Sequence, residues 1–134
     1  PGAHLVLVSG DAGYSLIWTK ADRSDMIKCD WQKGSMVIVP SDNTFHQHFN
    51  GGTTRARYLA LKEGDMGLFE PAYGAASADK SLKEGGWQVE YEDEDREIHK
   101  IFEKELAAHG ATCRMRAFIP WCTGEAGPMS ERDT

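Results

Sequence analysis

An all-β domain followed by a helical segment is the fold this sequence predicts, on three observations. Short runs rich in Val, Ile, Leu and aromatic residues recur at close spacing through the first 64 residues, turn signals built on Gly, Pro and Asn separate them, and a three-four apolar spacing begins only after residue 93. Short strands at such spacing imply a β-sandwich or barrel. The length of 134 residues fits one compact domain, or one domain with a trailing segment.

Residues 4–18, HLVLVSGDAGYSLIW, hold two β-rich runs around Ser9-Gly10-Asp11-Ala12-Gly13, and the turn geometry that glycine permits predicts a hairpin. Beyond the polar stretch Thr19 to Asp25, the rough alternation of Met26 to Trp31 suits a half-buried strand, which Gln32-Lys33-Gly34 turns. Ser35 to Val39 is a further strand stopped at Pro40, Ser41 to Thr44 is a loop, and Phe45 to Phe49 resumes the extended chain. Asn50-Gly51-Gly52 is the strongest turn signal, and Arg55 to Leu61 follows as a strand of alternating polarity.

The character changes after Gly64. Residues 65–88, rich in Gly, Ala and Ser and containing Pro71, read as a connecting loop or flap between a core at 1–64 and a C-terminal segment at 89–134 that packs on or extends it. From Asp93 to His109, Ile98, Ile101, Phe102, Glu105 and Leu106 recur at helical spacing, with acids at the start and Gly110 as the stop, so a helix burying one stripe is expected. His99 and His109 are expected to face solvent from it, and the run Glu90 to Asp95 to form its solvated, dipole-favoured beginning. The tail from Ala111 carries apolar Phe118, Ile119 and Trp121 before a polar end.

Composition narrows the function. Apolar residues make up 40% of the chain and charged residues 27%, and no apolar run approaches the ~20 residues that span a bilayer, so neither a membrane span nor a membrane partner is expected. A net charge of −6 with no cluster of Lys and Arg argues against a nucleic-acid partner. Cys29, Cys113 and Cys122 match no metal-binding spacing, although Cys113 and Cys122 could bridge in an exported protein. The chain opens at Pro1 with no initiator Met or leader, which reads as a processed, trimmed or incomplete start and leaves cytoplasmic and secreted locations both open.

The chemistry centres on His46-Gln47-His48. Side chains two apart on a strand share a face, so His46 and His48 can converge on one metal ion while Gln47 points away. Phe45 and Phe49 flank them as an apolar wall that limits competition by bulk water. Trp18, Trp31, Tyr14 and Tyr58 are core aromatics or a flat surface for sugar rings, and Gln47 and Tyr58 are candidate hydrogen-bond donors around the metal or substrate.

Gly34-Ser35-Met36-Val37-Ile38-Val39-Pro40, then His46, then Asn50, resembles the second sequence motif of the cupin superfamily, with a turn one residue longer than usual after Pro40 and an additional His48. Residues 1–10 resemble the latter half of the first cupin motif, with His4 near the place of its Glu and its His pair absent from the chain. The resemblance implies a compact jelly-roll fold with a mononuclear metal held by His4, His46 and His48. Five or six strands are fewer than the eight typical of a jelly roll, so either residues 65–134 complete the sheets or a second copy does, and a homodimer is expected.

Three imidazoles without a carboxylate favour copper first, then iron, with zinc or nickel also accepted, over magnesium or calcium. Positions left open on the metal admit water, dioxygen, peroxide or substrate. The expected activity is therefore oxidation of a small organic or carbohydrate substrate, including oxidative attack on polysaccharide. The alternatives are a zinc-dependent lyase, isomerase or hydrolase, and a non-catalytic cupin that binds a sugar or effector.

Overall fold

The computed structural model describes residues 3–40, 44–62 and 80–124. Most of the expected flap at 65–88, and the polar end after Gly124, lie outside these residues. The chain divides into two compact units, Pro1–Glu63 with Phe102–Ala111, and Gly64–Ile101 with Thr112–Thr134.

In the first unit six strands follow one another: β1 (Ala3–Ser9), β2 (Gly13–Trp18), β3 (Ile27–Asp30), β4 (Met36–Val39), β5 (Phe45–Asn50) and β6 (Arg57–Lys62). They make two three-stranded antiparallel sheets, ordered β4-β1-β6 and β3-β2-β5. The hairpin expected at 4–18 does not form. β1 pairs with β4 and β6, whereas β2 pairs with β3 and β5, so Gly10 to Ala12 carry the chain from one sheet to the other. Each of the two strands is the middle of its own sheet, and they differ in burial: β1 buries alternate residues only, while Gly13 to Ile17 of β2 are all buried.

One core serves both sheets. Ala3, Leu5 and Leu7 of β1 and Val37 and Val39 of β4 meet Ile17 of β2 and Trp31, the residue after β3. This is consistent with the expected β-sandwich, in which alternate side chains of each strand point inward. Trp31 lies so close to β2 that a Cβ built on Gly13 would fall 2.2 Å from its ring.

The two outer faces differ. On β3-β2-β5, Tyr14 stacks on Phe49 with centroids 4.9 Å apart, Phe49 meets Phe102 at 5.2 Å, and Lys28 pairs with Glu105 at 3.1 Å. Burial works against the Lys28 charge, but Asp30 and Glu105 outweigh it and hold its pKa above the usual lysine value. On β4-β1-β6, by contrast, Val8, Met36, Ile38, Leu59 and Leu61 are half or more exposed.

Phe102 and Glu105 belong to helix α1 (Arg96–Ala108), which lies within the helical span expected from the sequence. The Asp95 carboxylate accepts the backbone N–H of Glu97 at 2.8 Å and caps its start. At its end Gly110 adopts φ +71°, and the Ala111 N–H returns to the Leu106 carbonyl at 2.8 Å, a Schellman closure. Among the described residues no helix is long and apolar enough to cross a membrane.

The second unit contains the 3-10 turns Leu82–Glu84, Tyr91–Asp93 and Met115–Ala117 with the first residues of α1. Its apolar packing centres on Ile98 and the fully buried Ile119. Tyr91 packs on Phe118, and Lys83 pairs with Asp93.

Replacing Gly13 by Ala is expected to destabilise the first unit by roughly 1–3 kcal/mol, because the added methyl displaces a packed indole. A urea midpoint equal to wild type would contradict the packing described for Trp31.

Candidate metal centre

The pairing of β5 with β2 decides where its side chains go. His46 lies opposite Ile17 and His48 opposite Ser15, while Phe45, Gln47 and Phe49 lie opposite Trp18, Leu16 and Tyr14. Since Ile17 belongs to the shared core, both imidazoles project from the inner face of the sheet. Their ring centroids are 5.2 Å apart.

His48 is the better fixed of the two. Its Nδ1 is 2.9 Å from the Ser15 hydroxyl, which also accepts the Trp31 indole N–H at 2.8 Å. When Nδ1 carries the ring proton it donates to this fully buried hydroxyl, and Nε2 is left with the lone pair that binds a metal or takes a proton. Trp31 and Tyr58 frame the ring, with centroids 5.9 and 5.6 Å away. Burial, and secondarily the neighbouring His46, push the pKa of His48 down to about 4, so the ring is neutral at physiological pH.

Of the other residues singled out from sequence, Trp31 and Tyr58 join this pair, each packed against His48 and against one another at 5.4 Å. His4 is exposed on the opposite side of β1 from Leu5, in register with Ile38 and Leu61 on the outer face of its sheet. The structure does not bring it to His46 and His48, because an even position in β1 faces away from a core built on odd ones. Phe45 stacks on Trp18 at 5.8 Å and Phe49 on Tyr14, both on the outer face of β3-β2-β5 with Gln47. They back the strand rather than wall the imidazoles. Ser15, the partner that orients His48, carries no signal in the sequence beyond its place in a strand.

A second constellation lies at α1. His99, expected to face solvent, is only 1% exposed. Its Nδ1 meets a Glu94 carboxylate oxygen at 2.6 Å, its Nε2 lies 3.6 Å from the Cys113 sulfur, and Trp121 packs edge-on at 5.0 Å. The Cys122 sulfur is 3.5 Å from that of Cys113, and neither cysteine is in a disulfide. Glu103 stands one helical turn beyond His99, and ligand atoms of His99, Glu103, Cys113 and Cys122 all lie within 4.8 Å of one another. This group could hold a metal ion. The acid run is accordingly not all solvated, since Glu94 is buried against His99. A spacing of nine between the cysteines resembles no familiar motif, but His99 and Glu103 at i and i+4 beside a buried stripe was a readable sign.

No protein-family model, curated protein or solved structure matches this chain.

The folded pKa of His48 lies below its ordinary value of 6.5, so between pH 6.5 and about 4 the unfolded chain binds more protons at this ring than the folded one. The stability this group contributes is complete above pH 6.5 and is lost as pH falls through about 4. In metal-free protein, the His48 ring resonances should titrate near pH 4, and the urea midpoint should fall more steeply over this interval than in His48→Asn. Equal slopes for the two proteins would contradict the assignment.

Proposed function

We propose that this chain is a cupin-type jelly-roll protein in which His46 and His48 bind a redox-active transition metal, copper in preference to iron, for oxidation of an organic substrate by dioxygen or hydrogen peroxide. The observation that carries the reading is the placement of both imidazoles on one inward face of β5, with His48 held neutral beside Ser15. Two imidazoles suit copper or iron and are a poor set for magnesium or calcium. They fill only part of an ion's coordination shell, which leaves positions for water, oxidant and substrate. With His4 on the outer face, the proposal rests on the β5 pair.

When bound, the metal supplies electron transfer and activation of the oxidant. The chain's own residues supply orientation. Ser15 and the buried Trp31 fix the plane of His48, and the exposed Tyr58 ring offers apolar contact to a flat substrate, a sugar ring among them. Untagged protein should retain copper or iron and consume oxygen or peroxide when given a reductant. His46→Ala with His48→Ala should abolish both, and His4→Ala should leave both intact. Retention of copper or iron by the double variant, or zinc alone in the wild type, would overturn the reading.

The same reading includes a homodimer. The exposed Val8, Met36, Ile38, Leu59 and Leu61 on β4-β1-β6 form the kind of apolar patch that marks an interface. Light scattering at micromolar protein should give twice the chain mass of 14.9 kDa, and Ile38→Glu with Leu59→Glu should return it to the single-chain value. A single-chain mass for the wild type would refute the dimer.

A further inference from the structure

We propose that His99, Cys113, Cys122 and Glu103 form a closed, tetrahedral zinc site, separate in chemistry from the β5 histidines, that fastens the C-terminal tail to α1. An ion ~2.3 Å from each sulfur and ~2.0–2.1 Å from an imidazole nitrogen, at tetrahedral angles, sets sulfurs about 3.8 Å apart and sulfur and nitrogen about 3.6 Å apart. The Cys113 and Cys122 sulfurs are 3.5 Å apart, and Cys113 sulfur and His99 Nε2 are 3.6 Å apart. Both separations lie near the corresponding edges of such a tetrahedron, the sulfur pair slightly closer. A disulfide would bring the sulfurs to about 2.05 Å.

The surroundings fit the same chemistry. The Glu94 carboxylate accepts a hydrogen bond from the Nδ1–H of His99, which sets the tautomer whose Nε2 is the ligand atom, the carboxylate–histidine–metal relation of many zinc sites. Trp121 packs edge-on against the ring and limits its rotation. The backbone N–H of Gly124 donates to the Cys122 sulfur at 3.3 Å and fixes its position. Gly124 can do this because it has no side chain: a Cβ there would lie 2.1 Å from the Cys113 carbonyl oxygen. Two thiolates and an imidazole select zinc over harder ions, and Glu103 supplies the fourth ligand. Cys113 and Cys122 are each 4% exposed, so the site is built into the packing. Binding displaces the protons of both thiols, and the ion's free energy adds to folding because the unfolded chain has no preformed site.

The test uses the full chain, purified without a tag under reductant, stripped of metal and titrated with cobalt(II) and then zinc(II). One equivalent of cobalt should develop a thiolate-to-cobalt charge-transfer band and intense tetrahedral d–d bands, zinc should bleach them, and zinc-edge X-ray absorption should show two sulfur neighbours at ~2.3 Å. His46→Ala with His48→Ala should leave the bands unchanged. Glu94→Gln, which keeps the side-chain shape, should retain the bands and weaken affinity by about 10–100-fold. Absence of the charge-transfer band in folded wild-type protein, its survival in Cys113→Ser with Cys122→Ser, or a zinc edge without sulfur would leave a thiol–imidazole hydrogen-bond network only and overturn the proposal.

Discussion

The indole of Trp31 joins the core of the strand unit to the hydrogen-bond chain that reaches His48. It is among the largest members of the shared core, its ring lies against the bare Cα of Gly13, and its N–H must find an acceptor once it leaves water. That acceptor is Ser15 at 2.8 Å, a hydroxyl with no solvent exposure, whose remaining capacity goes to His48. A core packing decision is thereby converted into the orientation of an imidazole. The same ring sets one wall beside His48 and meets Tyr58, so the aromatic frame and the hydrogen-bond chain have a common origin.

The two histidine environments show how burial is resolved differently in each. His48 gains no charged partner, and desolvation leaves it neutral. His99 is buried more deeply but sits against the Glu94 carboxylate, so removing either partner exposes the other's polar group to an apolar surrounding. One arrangement sets an imidazole between a hydroxyl and two aromatic rings. The other yields a nitrogen directed at sulfur.

What the sequence disclosed follows from which signals are local. The strands at 36–39, 45–50 and 57–62 were legible because alternation and turn residues act over a few positions, and helix α1 was legible from its three-four spacing and Gly110. That His46 and His48 share a face follows from strand periodicity alone, whereas the pairing with β2 makes that face the inner one. The path of residues 9–13 was not legible, since glycines mark a turn without stating whether the next strand returns to pair or crosses to another sheet. His4 faced the same limit: a motif places a residue along the chain, but the register of β1 against β4 and β6 decides its face. The cluster at His99 was hidden for a further reason. Its cysteines come from a tail of irregular structure, where no period predicts which side chains meet.

The closeness of Gly13 and Trp31 also constrains how this sequence can drift. A residue with a Cβ at position 13 fits only if the side chain at 31 is smaller, and every smaller replacement gives up the indole N–H that occupies Ser15. Among descendants of this chain, the glycine, the tryptophan and the serine should be inherited as a set or lost as one, and the identity of residue 13 alone should report whether the imidazole on the neighbouring strand is still held in place.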